Sequence, residues 1–313
     1  MKLSLCLATH NEEENLGSCL ESAKQIVDEV VIIDGSSTDK TVEIAKKYGA
    51  RVIVTNNPPM FHVNKQKALD ACKGDWILQL DADERVSPEL ATEIKNVINM
   101  DTEKLRNYEI NLPERELFLR HERLIQSDVI PAQAGIQSKN TTVYNSLDSR
   151  FRGNDKVKSL NLEYVAFFLP RLNYFLGKFL RYGGVYPDGA IRLVKRGKAH
   201  FPCKDVHEVM KVDGKVGWLE SPLLHYDSPT FKRYLERNNR YINMMVSQFK
   251  EEKLEKNFMN FINFIFYKPI VWFFSTQIRH KGILDGWQGI VFSFFSALRF
   301  PRAYTKYFFT RQP

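Results

Sequence analysis

Between Lys2 and Ile98 the sequence alternates four times between a short apolar run and a segment with helical spacing. The runs are Lys2–Ala8, Glu29–Ile33, Arg51–Val54 and Trp76–Leu80, each of strand length. After the first, Leu16, Cys19, Leu20 and Ala23 share one helix face, and Asn11 with Glu14 three residues on reads as a capping-box start. After the second, Val42, Ala45 and Tyr48 turn inward and Gly49 stops the helix. His62–Cys72 follows the third run, ended by Gly74, and Ser87 to about Ile98 follows the fourth, with Pro88 in its first turn. Strands and helices joined by short links imply a mostly parallel α/β sheet with right-handed crossovers and helices on both faces. Ligands bind such a sheet beyond the carboxyl ends of its strands. Three of those ends carry polar clusters: Asn11-Glu12, Asp34, and Asp81-Ala82-Asp83-Glu84.

The last cluster is the most informative. Burying like charges at the end of an apolar strand is costly and needs a reason. On a continuing strand Asp81 and Asp83 would point the same way. Two hard oxygen ligands with open positions suit Mg²⁺ or Mn²⁺ shared with substrate phosphates. The structural alternative is a turn that leads into a capped helix at Ser87-Pro88-Glu89. No Gly-x-Gly-x-x-Gly follows the first strand, so a dinucleotide fingerprint is absent and phosphate must be held another way.

At these residues the chain resembles the family 2 glycosyltransferases of GT-A fold, through Thr9-His10-Asn11-Glu12-Glu13, Asp34-Gly35-Ser36-Ser37-Thr38-Asp39 and Gly74-Asp75-Trp76 to Asp81-Ala82-Asp83-Glu84. Later motifs, Pro170 to Lys178, Tyr182 to Asp188, Arg192-Leu193 and Val206-His207-Glu208, are similar to the subgroup containing lipopolysaccharide core glucosyltransferases. The resemblance implies a hexosyltransferase using a nucleotide-sugar donor, with UDP suggested by the subgroup. It implies that Thr9, Asn11, Glu12 and Asp34 hold the nucleoside, with Asp34 on the base. It places Lys65 near the diphosphate and Asp81 and Asp83 on the metal.

Residues 124–159 depart from the resemblance. They are polar and aperiodic and resemble a translated bacterial intergenic repeat set into a loop. Such an insertion costs little closure entropy, so disorder without chemistry is expected there, with a lid as the alternative. The expected organisation is therefore a nucleotide-sugar half at 1–123, the insertion, an acceptor half at 160–230 and a helical segment at 231–313. In the acceptor half, Leu162–Leu169 reads as a strand ended by Pro170, and Ala190–Lys195 as another with Arg192 on its polar face. The cluster Asp205-Val206-His207-Glu208 can supply the base that an inverting transfer needs at the acceptor hydroxyl. Glu208 is the first candidate, Asp205 the second and Asp188 the third. His207 could orient that carboxylate or sit in the core, and His225 is a weaker candidate of the same type.

Charge and aromatic content concentrate at the far end. From Phe231 onward the sequence has 14 Lys and Arg against 5 Asp and Glu, and 21 of the 39 aromatic residues. Tyr234, Leu235, Asn238, Tyr241, Ile242 and Met245 recur at helical spacing, and Lys268-Pro269 is expected to cut the apolar run Phe258–Ser275 in two. Neither that run nor Ile290–Phe300 makes a convincing span, so amphipathic helices lying on an anionic leaflet are expected. Long Phe and Ile runs disfavour a nucleic-acid surface. Cys6, Cys19, Cys72 and Cys203 lack metal or disulfide spacing, which suits a reducing compartment, and the acidic Asn11–Asn15 stretch excludes a secretory signal there. The expected setting is the inner face of the cytoplasmic membrane, with a lipid-linked or core-saccharide acceptor. The competing readings are a sugar nucleotidyltransferase, disfavoured by the acidic loop after the first strand, and a non-catalytic nucleotide-sugar binder.

Overall fold

The computed structural model describes residues 1–106, 163–203 and 209–310. Among them the chain forms two compact units. The first holds residues 1–106, 163–171, 189–203 and 209–225, and the second holds 172–188 and 226–310. The inserted stretch at 124–159 lies outside the described residues.

In the first unit the expected alternation is present as β1 (Leu3–Thr9), α1 (Leu16–Ala23), β2 (Glu29–Asp34), α2 (Thr41–Lys47), β3 (Arg51–Val54), α3 (His62–Ala71), β4 (Trp76–Gln79), β5 (Glu84–Val86), α4 (Pro88–Ile98) and α5 (Thr102–Arg106). β1 pairs in parallel with both β2 and β4, and β2 with β3. The second half adds β6 (Tyr164–Phe175), β7 (Lys178–Leu180), β8 (Asp188–Lys195), β9 (Ala199–His200), β10 (Lys211–Val212), β11 (Lys215–Trp218) and β12 (Leu223–Ser228). The sheet runs β3-β2-β1-β4-β8-β6-β12-β5, with β11 beside β6. Beyond β4 it turns mixed: β8 is antiparallel to β4, and β12 to β5. The architecture is the α/β one expected, with helices at the C-terminal end.

β1 is buried along its length, with Leu3, Leu5, Cys6 and Leu7 fully enclosed, as suits a strand flanked on both sides. The amino ends of the parallel strands are knotted by Ser4. Its hydroxyl donates to Glu29 Oε2 (2.7 Å) and accepts from the Gly74 N–H (2.8 Å). A Cβ at Gly74 would lie 2.7 Å from the Ser4 nitrogen, so this join requires glycine. Leu16, Leu20, Trp76, Leu90, Ile94 and Phe167 belong to the one apolar cluster beneath these elements. α4 starts as expected: Ser87 Oγ accepts from the Leu90 N–H at 3.2 Å.

Two local expectations differ. The capping box at Asn11–Glu14 does not form; the N-cap of α1 is Asn15, whose side chain donates to Glu12 Oε2 (2.9 Å) rather than capping the helix, and Asn11 adopts φ 53°. Asn tolerates that left-handed conformation, and its side chain is used elsewhere. Pro170 does not end its strand, because β6 continues to Phe175. Proline's fixed φ fits extended backbone and forfeits only a ladder donor.

In the second unit, Leu176 (φ 46°) and Gly177 (φ 92°) turn β6 into β7. The helices are α6 (Phe231–Glu251), α7 (Phe258–Ile262), α8 (Lys268–Phe274), α9 (Trp287–Ala297) and α10 (Arg299–Phe309). π-helical turns at Asn263–Tyr267 and Ser275–Arg279 make Phe258–Arg279 one unbroken helical run. The expected cut at Lys268-Pro269 is absent: the helical run continues through Pro269, which directly follows the π-helical turn at Asn263–Tyr267, where the i→i−4 ladder is already broken. Ile242, Phe249, Phe264, Tyr304 and Tyr307 form one core; Phe175, Leu180, Val185 and Tyr234 form another. The buried Asp285 carboxylate accepts the N–H groups of Arg181 (3.1 Å) and Tyr182 (2.8 Å). No described helix is long and apolar enough to cross a membrane.

Gly189 offers a test of the first unit's packing. A Cβ there would sit 2.1 Å from the tip of the buried Trp218 indole. Gly189→Ala is expected to lower stability by about 1–3 kcal/mol. Urea unfolding measures it, and an unchanged midpoint would contradict the packing described.

Candidate functional site

The carboxyl ends of β1 and β2 interlock through their loops. Thr9 and Asp34 lie in register. Asp34 is fully buried and accepts from Thr9 Oγ1 (3.1 Å), the Ser37 N–H (2.8 Å) and Ser37 Oγ (2.6 Å). Asn11 donates its N–H to Ser37 Oγ (2.9 Å) and accepts the Thr38 N–H at Oδ1 (2.8 Å). The Glu12 N–H donates to Thr41 Oγ1 at 2.7 Å. Thr9, Asn11, Glu12 and Asp34 are thus brought together into one preformed shelf of donors and acceptors.

At the end of β4 the strand stops at Gln79, and Asp81–Asp83 forms a turn before β5. The turn closes on itself: the Asp81 N–H donates to Glu84 Oε2 (2.9 Å), and the Glu84 N–H to the Asp81 carbonyl (3.0 Å). Because the strand does not continue, Asp81 and Asp83 have different partners. Asp81 Oδ1 lies 2.5 Å from Lys65 Nζ on α3, and Oδ2 lies 2.6 Å from the Arg192 guanidinium on β8. Asp83 Oδ1 lies 3.6 Å from His225 Nε2 on β12.

Arg192 organises the interior of this cluster. It is 6% exposed and donates to Glu84 Oε1 (2.7 Å), to Asp81 and to Gln79 Oε1. Arg171 stands 3.8 Å from the same Glu84 oxygen. Lys65, Arg192 and Arg171 therefore surround Asp81 and Glu84, three cations to two carboxylates. Burial by itself would raise the Asp81 carboxyl, yet Arg192 and Lys65 outweigh it and hold it well below the usual carboxylate range. Glu84 is fully enclosed, and burial wins there, pushing its carboxyl up despite Arg192. Desolvation works against the Arg192 charge, but Asp81 and Glu84 more than offset it and its pKa rises. The local surplus of positive charge favours an anionic ligand at this sheet edge.

Sequence reasoning placed Lys65, Asp81 and Asp83 at the site, and the structure joins Lys65 to Asp81 while setting Asp83 opposite His225. It did not assign Gln79, Glu84 or Arg171, and it gave Arg192 only a polar strand face. The available signal was Gln79 inside Trp76–Leu80 and Arg192 inside Ile191–Val194, polar residues in apolar strands that must find each other. Asp205, His207 and Glu208 lie outside the described residues. The chain leading to them is fixed to α3: Phe201 stacks on His62 (5.0 Å, 11°) and its N–H donates to Gln66 Oε1 (2.6 Å). Asp188, in the second unit, accepts from Asn173 Nδ2 at 3.2 Å. No group of three or more His, Cys, Asp or Glu that could hold a metal gathers among the described residues.

Residues 4–102 match the model of glycosyl transferase family 2. An uncharacterized glycosyltransferase of Rickettsia bellii is 34% identical over 152 residues, 48% of this chain and 48% of that protein. The chain thus spans about half the length of the rickettsial relatives it matches. The lipopolysaccharide core biosynthesis glycosyltransferase LpsC of Rhizobium meliloti is 24% identical over 312 residues, covering 96% of this chain and 92% of that one. Among solved structures, glucosyl-3-phosphoglycerate synthase of Mycobacterium tuberculosis, with Mn²⁺ and UDP-glucose, is 28% identical over 27% of this chain and 34% of that one, at a TM-score of 0.25.

Two tests address the ion cluster. Arg192→Met leaves Glu84 buried beside Asp81 without its main counter-ion, and is expected to cost about 3–5 kcal/mol in urea unfolding. Asp81 has a folded pKa below its unfolded one, so its contribution is present above about pH 4 and is lost as pH falls through the folded value. Glu84 has the opposite sign, its contribution being present at low pH and lost as pH rises through its raised folded value. Asp81→Asn should flatten the loss of stability as pH falls below about pH 4; an unaltered slope would show that Asp81 does not carry it.

Proposed function

We propose that this chain, whose residues 4–102 match the model of glycosyl transferase family 2, moves a hexose from a UDP-sugar to a core-saccharide or lipid-linked acceptor with inversion. The observation that carries this reading is the split of the acid turn, with Asp81 clamped by Lys65 and Arg192 and Asp83 facing His225. The kind of acceptor follows the likeness to LpsC, and the UDP-hexose follows the subgroup resemblance.

The shelf of Thr9, Asn11, Glu12 and Asp34 fits a nucleoside, which needs fixed donors and acceptors rather than net charge. The buried cations fit the diphosphate. Lys65 and Arg192 already neutralise Asp81, so that carboxylate orients them and is engaged on both oxygens. Asp83 and His225 suit a divalent cation as one oxygen and one imidazole ligand, leaving the other positions to water and phosphate. The mixed donor set favours Mn²⁺ over Mg²⁺. Bound there, the ion would withdraw charge from the leaving diphosphate.

Glu208, with Asp205 second, is proposed to take the proton of the acceptor hydroxyl as its oxygen attacks the anomeric carbon. The new glycosidic bond forms on the face opposite the breaking carbon–oxygen bond, and the nucleoside diphosphate leaves. His62 and Gln66, which hold Phe201, set where the segment bearing these acids begins.

Asp83→Ala and His225→Ala are each expected to abolish UDP release from a UDP-sugar in the presence of Mn²⁺; Asp83→Ala should change the melting temperature of the metal-free protein little, whereas His225→Ala, at a buried strand position, should lower it. A tight donor at a hundred times its Kd should stabilise the wild type by about 2.7 kcal/mol. Full turnover by Asp83→Ala would overturn the metal assignment, and release of pyrophosphate in place of UDP would overturn sugar transfer.

A further inference from the structure

The helical run Phe258–Arg279 has two different sides. Its inner side is fastened within the second unit. Phe264 stacks on Tyr304 (5.3 Å, 1°), Trp272 Nε1 donates to Ser296 Oγ (3.0 Å), and Gln277 Nε2 donates to Ser293 Oγ (2.6 Å) and the Gly289 carbonyl (3.0 Å). Its outer side is apolar without interruption. Every exposed residue from Phe258 through Ile278 is aliphatic or aromatic. Phe258, Met259, Tyr267, Ile270, Phe274 and Ile278 are 74%, 75%, 64%, 54%, 55% and 71% exposed. Beyond the run, Ile283, Leu284 and Trp287 are exposed by more than half. At about 150–250 Å² per large side chain, the outer side of the run leaves on the order of 1,000 Å² of apolar surface open. Soluble monomers seldom show a patch above about 300–600 Å².

The charge in this part of the chain is mostly positive. From Glu251 onward the sequence carries nine Lys and Arg against four acids, Glu251, Glu252, Glu255 and Asp285, and the first three are exposed, just before the run. Asp285 is 2% exposed and spent on backbone N–H groups. Lys256 stands just before the run, and Arg279 and Lys281 close it, all exposed. At the middle, Lys268 lies 3.9 Å over the Phe264 ring, half-buried. A cation at the midpoint, with Asn260, Asn263 and Ser275 along the run, makes crossing a bilayer unfavourable and lying along its surface favourable.

We propose that the face of Phe258–Ile278, extended by Ile283, Leu284 and Trp287, docks flat on an anionic phospholipid bilayer. The apolar ridge enters the boundary between headgroups and acyl chains, and Lys256, Arg279 and Lys281 meet the phosphates at its two ends. A run of 22 residues is about 33 Å long, which suffices to orient the unit in the plane of the surface. A bilayer surface supplies both the apolar depth and the negative charge.

The test is sedimentation of the full chain with vesicles, without donor or acceptor, so it stands or falls apart from sugar transfer. Vesicles containing one third phosphatidylglycerol should bind the protein, and pure phosphatidylcholine should bind it much more weakly. Phe258→Ser with Ile278→Ser should weaken binding at least tenfold. Arg279→Gln with Lys281→Asn should weaken it about fivefold per charge removed, and Asn suits the left-handed backbone at 281 (φ 56°). Circular dichroism melting, unchanged in both variants, separates lost docking from lost folding. Failure of the wild type to bind anionic vesicles, or wild-type binding by the serine variant, would overturn the proposal. So would a stable dimer that the serine variant converts to monomers without any vesicle binding.

Discussion

The candidate site depends on one buried guanidinium. Arg192 sits among Gln79, Asp81 and Glu84 at the place where the parallel part of the sheet gives way to antiparallel strands. Without it, two carboxylates would share a poorly solvated corner, and one would have to take up a proton. With it, Asp81 stays ionised and Glu84 remains enclosed. The acid turn then keeps its shape through the paired bonds between Asp81 and Glu84. Asp83, which Arg192 does not touch, is left to face His225.

This arrangement divides labour between neighbouring acids in a way that spacing alone does not reveal. Asp-x-Asp invites the picture of two ligands pointing in one direction. A turn in place of a strand separates them, so that one acid serves the cations and the other faces His225. The cation cluster around Asp81 and the hydrogen-bonded shelf of β1 and β2 are two chemically different surfaces on one sheet edge, as the proposed nucleoside diphosphate donor would require.

Much of the first hundred residues was legible because local and global signals agree there. Apolar runs, helix faces, Gly49, Gly74 and the Ser87-Pro88 cap each pointed to the elements observed. The failures fall where a side chain has a better partner far away. Asn11 gives up a capping role to bind Ser37 and Thr38. Pro170 passes as a strand residue because the sheet needed no donor from it. Pro269 passes as a helix residue because it follows a π-helical turn where the regular hydrogen-bond ladder is already interrupted. The Arg192 cluster joins residues about 110 positions apart, a separation that no period or spacing in a single chain encodes. The exposed ridge of Phe258–Ile278 was legible in composition, but its inward and outward sides became distinct only once α9 and α10 were in place against it.

The knot of Ser4, Glu29 and Gly74 lies at the opposite end of the strands from all of this. It fixes strand registry without drawing on any loop that meets a ligand. Residues after β1, β2 or β4 can therefore be exchanged, changing what those loops recognise, while the scaffold underneath keeps its alignment. Substitution at that quiet pole would act on all the loops at once, since each inherits its position from the same three-way join.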